Sequence, residues 1–133
     1  VERAAAALAS DPAVVRRARD TVNAGMEQKA PGDIDIPVVQ DHKSGEVLMV
    51  GFMNEEAWDV TRRTGYVTFF SRTRNKLWTK GETSGNRLAV RDVLIDCDED
   101  TVLVKAERLG DGNVCHTGER TCFFQRVEGV TIP

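Results

Sequence analysis

The chain has 133 residues, of which 41% are hydrophobic and 29% charged, with a formal net charge of −3. This length fits one domain with one core, and no apolar run is long enough for a membrane span. Charged residues follow the short alanine run Ala4–Ala7 directly, unlike a secretory signal, and the cysteine count of three is odd. We therefore expect a cytoplasmic protein whose thiols are reduced or bound to metal.

The first element predicted along the chain is a helix over Val1–Met26. Asp11 and Pro12 are typical of an N-cap and a first helical position, and an apolar stripe follows them. We treat residues 1–35 as a helical extension and residues 36–133 as the functional domain.

Alternating and β-branched patterns predict strands through most of the remaining chain. A short helix interrupts them, capped by Asn54 and stopped by Gly65. The predicted strands are Ile36–Gln40, Glu46–Met53, Tyr66–Ser71, Leu77–Lys80, Arg87–Cys97, Thr101–Leu109 and Cys122–Val127. The predicted fold class is α+β, mainly antiparallel β with two helices.

Positive charge is concentrated between Arg62 and Arg91, where eight basic residues face one acid, Glu82. Such a block in an acidic chain predicts an anionic partner, and phosphates on a small molecule would suffice. The loop Gly81–Asn86, flanked by Lys80 and Arg87, offers backbone N–H groups and hydroxyls to a phosphate. The alternative is an ordinary surface loop.

A second concentration of charge is the aspartate cluster Asp96, Asp98 and Asp100, interleaved with Cys97. In an extended segment the three carboxylates share one side and the thiol takes the other. Oxygen ligands favour Mg²⁺, Mn²⁺ or Ca²⁺. A solvated hairpin tip is the other interpretation. An EF-hand is disfavoured because Thr101 stands where that loop needs glycine.

The remaining cysteines, Cys115 and Cys122, lie in a polar segment and can join Cys97 in a three-thiolate zinc site with one open position. Zinc there would yield hydroxide at neutral pH. His116 would move the proton or serve as a fourth zinc ligand, and Glu82 is a weaker candidate for proton transfer. The residues thus predict a metal-dependent hydrolase of a phosphorylated heterocycle.

Four motifs in this order resemble the phosphoribosyl-AMP cyclohydrolase family of histidine biosynthesis. They are Ser71-Arg72-Thr73-Arg74, Leu77-Trp78-x-Lys80-Gly81-Glu82-Thr83-Ser84-Gly85-Asn86, Asp96-Cys97-Asp98-x-Asp100, and Cys115-His116-Thr117-Gly118 through Cys122-Phe123. The resemblance covers roughly Ile36–Phe124. Only nine residues follow, so we expect a stand-alone form without a pyrophosphatase domain.

The resemblance implies hydrolysis of the C6–N1 bond of the substrate's adenine ring, in a barrel-like sheet within an intertwined homodimer. It implies one Mg²⁺ per subunit on Asp96, Asp98 and Asp100, and one Zn²⁺ on Cys97, Cys115 and Cys122, shared across the dimer. His116 is the expected catalytic residue. The expected substrate-binding residues are Arg72, Arg74, Trp78, Lys80, Glu82, Thr83, Ser84 and Asn86.

Two alternatives stay open at this point. One is a zinc-stabilised nucleic-acid-binding domain in which Phe69, Phe70 and Trp78 stack on bases. The other is a hydrolase of the same chemistry that acts on a different phosphorylated purine.

Overall fold

The computed structural model describes residues 36–97 and 101–133. The predicted helix Val1–Met26 lies outside these ranges, as do Asp98 and Asp100. The described chain forms β1 (Val38–Asp41), β2 (Val47–Val50), α1 (Glu55–Thr64), β3 (Thr68–Ser71), β4 (Lys76–Thr79), β5 (Leu88–Ile95) and β6 (Val102–Arg108). Within those ranges, no helix has the length and apolarity that crossing a bilayer requires.

Four strands form the larger sheet, in the order β2-β1-β6-β5. The β1–β2 and β5–β6 pairs are antiparallel, as predicted, whereas β1 runs parallel to β6. Every second residue of β6 from Val102 to Ala106 is buried, which is the period expected of a strand with one face on the core. The β5–β6 hairpin ends at the pair Leu88 and Arg108, so the loops that precede β5 and follow β6 leave from the same end.

The smaller sheet is the hairpin of β3 and β4, in which Phe69 lies opposite Trp78. It meets the larger sheet through the isolated bridge between Tyr66 and Ala89, and the Phe70 N–H donates to the carbonyl of Phe52. Single contacts of this kind do not make a continuous ladder. The described strands therefore form two open sheets rather than the barrel-like sheet that we expected.

Helix α1 has the ends that the sequence predicts. The Asn54 side chain accepts from the Ala57 N–H at 2.8 Å, and Gly65 adopts a left-handed conformation and donates to the Thr61 carbonyl at 2.9 Å. The buried Thr61 hydroxyl accepts from the Thr68 N–H at 2.9 Å. This bond ties the helix to the smaller sheet.

One hydrophobic core lies between the sheets and α1. Its largest fully buried apolar side chains are Phe69, Leu48, Met53, Leu88, Val39, Val67 and Val104. The predicted last strand, Cys122–Val127, is wrong: the segment has no regular secondary structure. Cys122 donates one backbone bond to Leu48 of β2, but no ladder follows it, and the side chains of Phe123 and Val127 are 58% and 79% exposed.

Candidate active site

A cavity of about 450 Å³ lies between the two loops at the end of the β5–β6 hairpin. We call them loop 80–86, which precedes β5, and loop 109–118, which follows β6. The lining residues are Arg74, Trp78, Thr79, Lys80, Gly81, Glu82, Thr83, Ser84, Asn86, Asp111, Asn113, Val114, Cys115, His116 and Gly118. The cavity thus unites seven of the eight predicted substrate-binding residues with one predicted zinc ligand and the predicted catalytic histidine.

Loop 80–86 is closed by its own backbone. The Gly85 N–H donates to the carbonyl of Gly81 at 2.7 Å, and the Glu82 N–H donates to Thr79 at 3.0 Å. The side chains of Glu82, Thr83 and Ser84 are left exposed. Two hydroxyls and one carboxylate therefore stand on a defined turn at the rim of the cavity.

Positive charge lines the same wall. The Lys80 ammonium lies 5.7 Å from the centroid of the half-buried Trp78 ring, within the range of a cation–π contact. Arg74, at the β3–β4 turn, is exposed and also borders the cavity. An anion that enters the cavity would meet both cations beside an aromatic face.

Cys115 is buried within loop 109–118, and the groups around it favour the thiolate over the thiol. The Thr117 hydroxyl donates to the Cys115 sulfur at 3.0 Å. This bond, followed by one from the Thr117 N–H, lowers the pKa of the Cys115 thiol, and the charge of Lys80 acts in the same direction. The His116 Nδ1 atom lies 4.0 Å from the same sulfur.

Cys122 is exposed, and its thiol lies within electrostatic reach of the Cys115 thiol. Its N–H donates to the carbonyl of Leu48 at 2.8 Å, and the neighbouring Thr121 hydroxyl donates to Val47 at 2.7 Å. Desolvation first, and then the Cys115 charge, raise the pKa of Cys122. A soft divalent cation between the two sulfurs would relieve that repulsion, so the pair fits two positions of a zinc site.

The third predicted zinc ligand, Cys97, lies at the far end of the β5–β6 hairpin and is exposed. Across residues 36–97 and 101–133, no three His, Cys, Asp or Glu side chains converge as a ligand set within one chain. Neither Cys97 nor His116 therefore completes a three-ligand site with Cys115 and Cys122 in this conformation.

Of the aspartate cluster, only Asp96 lies within the described residues. Its carboxylate accepts from the Thr101 N–H at 3.0 Å, and its N–H donates to the Thr101 carbonyl at 3.1 Å. These bonds join Asp96 to Thr101 at the end of the β5–β6 hairpin; Asp98 and Asp100 lie outside the described residues. Their proposed Mg²⁺ site stays a prediction.

Two further sequence predictions concern residues that do not border the cavity. The Arg72 guanidinium lies 4.8 Å from the centroid of the Phe52 ring, and its role with substrate stays a prediction. Phe69 is fully buried, with its ring centroid 5.2 Å from that of Trp78. Because Phe69 cannot stack on a base, the nucleic-acid-binding alternative loses one of its three platforms.

A family model described as phosphoribosyl-AMP cyclohydrolase matches residues 49–124. The chain belongs to the phosphoribosyl-AMP cyclohydrolase family. The phosphoribosyl-AMP cyclohydrolase of Solibacter usitatus is 58% identical over 91 residues, which cover 68% of this chain and 71% of that relative. The one from Methanothermobacter thermautotrophicus is 50% identical over 97 residues, with coverages of 73% and 69%.

A relative of a different architecture is the histidine biosynthesis bifunctional protein HisIE of Bacteroides thetaiotaomicron. It is 55% identical over 91 residues, which cover 68% of this chain and 44% of that relative. The resemblance predicted from the motifs is therefore confirmed. The part that matches the cyclohydrolase family model contains every predicted site residue from Arg72 to Cys122.

Sequence reasoning missed three residues at the cavity, two that border it and one that bonds to the Cys115 sulfur. It did not name Asp111 and Asn113, which border the cavity. It also assigned no role to Thr117, the donor to the Cys115 sulfur. The signal was present in the sequence, because all three residues lie within four positions of Cys115, a predicted zinc ligand.

Proposed function

We propose that this chain hydrolyses the adenine ring of N1-(5-phosphoribosyl)-AMP, the third step of histidine biosynthesis. The oxygen of water bonds to C6, the C6–N1 bond breaks and N1 gains a proton, which gives the phosphoribosyl-formimino-aminoimidazole carboxamide ribonucleotide. The observation that carries this proposal is one cavity with Lys80 and Ser84 on one loop and Cys115 and His116 on the other. Family membership and the names of the relatives support it.

The positive charges that border the cavity suit a substrate with two phosphate groups. Arg74 and Lys80 supply charge, and the Thr83 and Ser84 hydroxyls supply neutral donors on the same rim. The half-buried Trp78 offers an indole face for the purine. These groups would hold the base so that C6 faces loop 109–118, which carries Cys115 and His116.

Zinc is the metal that the thiol pair suits, one ion per subunit, held by Cys115 and Cys122 together with Cys97 of a second copy. Such an ion supplies a nucleophile at neutral pH by lowering the pKa of bound water. His116 lines the cavity beside Cys115 and would carry the proton to N1, with Glu82 as the second candidate. Asp96, Asp98 and Asp100 would hold one Mg²⁺ per subunit.

We infer a homodimer because the described residues of a single chain do not gather three ligand side chains, and Cys97 is exposed at the far end of the β5–β6 hairpin. Exposed apolar side chains supply a surface for a second copy: Phe123 at 58%, Val127 at 79% and Ile132 at 83% exposure, with Val47 and Val50 on edge strand β2. The reducing cytoplasm is the compartment in which three free cysteines would stay ready for zinc.

Mixing two inactive variants tests the reaction and the shared site together. We expect Cys115→Ser and Cys97→Ser each to lose stoichiometric zinc and ultraviolet-detected ring opening of the substrate. Co-refolded in equal amounts, they should recover about a quarter of wild-type activity, because half of the dimers are mixed and each holds one intact site.

Each failure has its own meaning. Full turnover by metal-free wild type would remove the metal from the reaction. No recovery on mixing would place all three thiols on one chain. Ring opening of AMP at the same rate as its N1-phosphoribosyl derivative would instead favour a different phosphorylated purine as the substrate.

A further inference from the structure

The two loops that border the cavity are joined to each other by one side chain, Asn86. Its Oδ1 atom accepts from the Asp111 N–H at 3.1 Å, and its Nδ2 atom donates to the Asn113 carbonyl at 3.2 Å. Both ends of the carboxamide are thus bonded to the backbone of loop 109–118. The Asn86 N–H is also held, by the Ser84 hydroxyl at 3.2 Å.

Two glycines make room for this link. A Cβ at Gly110 would lie 2.2 Å from the Asn86 Oδ1 atom, and a Cβ at Gly81 would lie 2.3 Å from the Asn86 carbonyl carbon. Both glycines also have positive φ, +68° and +79°. The backbone on each side is therefore shaped around Asn86.

Loop 109–118 has a second anchor on its other side. The Arg108 Nη1 atom donates to the Gly112 carbonyl at 3.2 Å, and Arg108 Nε donates to buried Asp41 at 2.9 Å. This anchor fixes the loop to the sheet, whereas Asn86 fixes it to loop 80–86. Loss of Asn86 should therefore leave the fold intact and release one loop from the other.

We propose that Asn86 is a positioning residue that sets the distance between the anion-binding groups of loop 80–86 and the reactive groups of loop 109–118. Its carboxamide bonds to the backbone of Asp111 and Asn113, which lie four and two residues before Cys115. Substrate held at Lys80 and Ser84 then presents its ring to Cys115 and His116 at a fixed separation. This inference rests on the proposed function and replaces direct substrate binding as the role of Asn86.

The test compares Asn86→Ala and Gly110→Ala with a matched control, Gly112→Ala. Gly112 lies in the same loop with φ +83°, but a Cβ there meets only the Arg108 side chain at 3.9 Å. We expect Asn86→Ala to lower kcat about tenfold to a hundredfold, because a displacement of about 1 Å between reacting groups has that effect. KM, AMP affinity and zinc content should stay near wild type, since each loop keeps its own ligand groups.

Gly110→Ala should reproduce the kcat loss, and the double variant should be no slower than the slower single variant, because both act on one link. Amide hydrogen exchange at residues 110–116 should rise more in both variants than in Gly112→Ala, which carries the φ strain without the contact to Asn86. A raised KM with unchanged kcat in Asn86→Ala would overturn the proposal, and so would an equal kcat loss in Gly112→Ala.

The outcomes separate this proposal from the proposed function. If wild type opens no purine ring, the proposed function fails, and hydrogen exchange alone still decides whether Asn86 links the loops. If Asn86→Ala does not fold, Gly110→Ala answers the same question, because it keeps the carboxamide and displaces it. Unchanged exchange at residues 110–116 in that variant would refute the link.

Discussion

The Asp41–Arg108 ion pair offers a stability measurement with a defined pH dependence. Asp41 is 6% exposed, and its carboxylate accepts from the Lys43 and Ser44 N–H groups, each at 2.9 Å, and from Arg108 Nε at 2.9 Å. Burial by itself raises the pKa of Asp41, but these three bonds and the Arg108 charge outweigh it and lower the pKa from 3.8 to about 2.

The pKa difference gives the magnitude. Each pH unit corresponds to about 1.4 kcal/mol, so ionised Asp41 contributes about 2 kcal/mol to the free energy of unfolding at pH 7. Asp41→Asn should lose that amount. Because the folded-state pKa is the lower one, the contribution is complete above the ordinary value of 3.8 and disappears as the pH falls to about 2.

Urea unfolding of wild type and Asp41→Asn at one protein concentration measures this difference. The gap between the two proteins should be about 2 kcal/mol at pH 7 and close to zero at pH 2. Comparing two proteins at each pH cancels the other groups that titrate. A gap that stays constant across this range would refute the electrostatic reasoning and assign the loss to packing.

Two further predictions concern the arginines near the cavity and the hydrophobic core. Arg74→Ala should raise KM about tenfold and change kcat less, because Arg74 borders the cavity. Arg72→Ala should raise KM less, because the Arg72 guanidinium lies over the Phe52 ring. Equal increases in KM in steady-state kinetics would contradict this difference between the two arginines. Gly51→Ala should lower the free energy of unfolding by about 1–3 kcal/mol, since its Cβ would lie 2.5 Å from the Phe69 ring. The double variant Gly51→Ala, Phe69→Leu should recover part of the lost free energy of unfolding, measured with urea. If the losses of the two single variants simply add, the alanine Cβ does not overlap with the Phe69 ring.

Local rules predicted the elements whose signals are local. Helix α1 was found from its two ends, because Asn54 and Gly65 each act within four residues of themselves. The β5–β6 hairpin was found from its alternating residues. The strand predicted over Cys122–Val127 was wrong because Phe123 and Val127 have strand-like composition, and composition does not reveal whether a segment pairs with an edge strand.

The site was predictable where residue type reveals chemistry. The residue type alone marks cysteines, a histidine, basic residues and hydroxyls as candidates for a site. Lys80, Ser84, Cys115 and His116, which were predicted in this way, border one cavity. A side chain that bonds to distant backbone cannot be predicted from its type, because its partners depend on the fold: Asn86 bonds to the backbone of residues 25 and 27 positions away. The pairing of β1 with β6 could not be predicted for the same reason, since the sequence of a strand does not specify which strand lies beside it.

That pairing has a consequence for how the chain can be divided. The match to the family model starts at residue 49, inside β2, yet β1 lies between β2 and β6 in the centre of the larger sheet. A fragment cut to the matched region would strip the middle strand away and leave β6 with a bare edge open to other chains. Since β1 joins a strand that is synthesised some sixty residues later, the sheet also closes late, when nearly the whole domain has emerged from the ribosome.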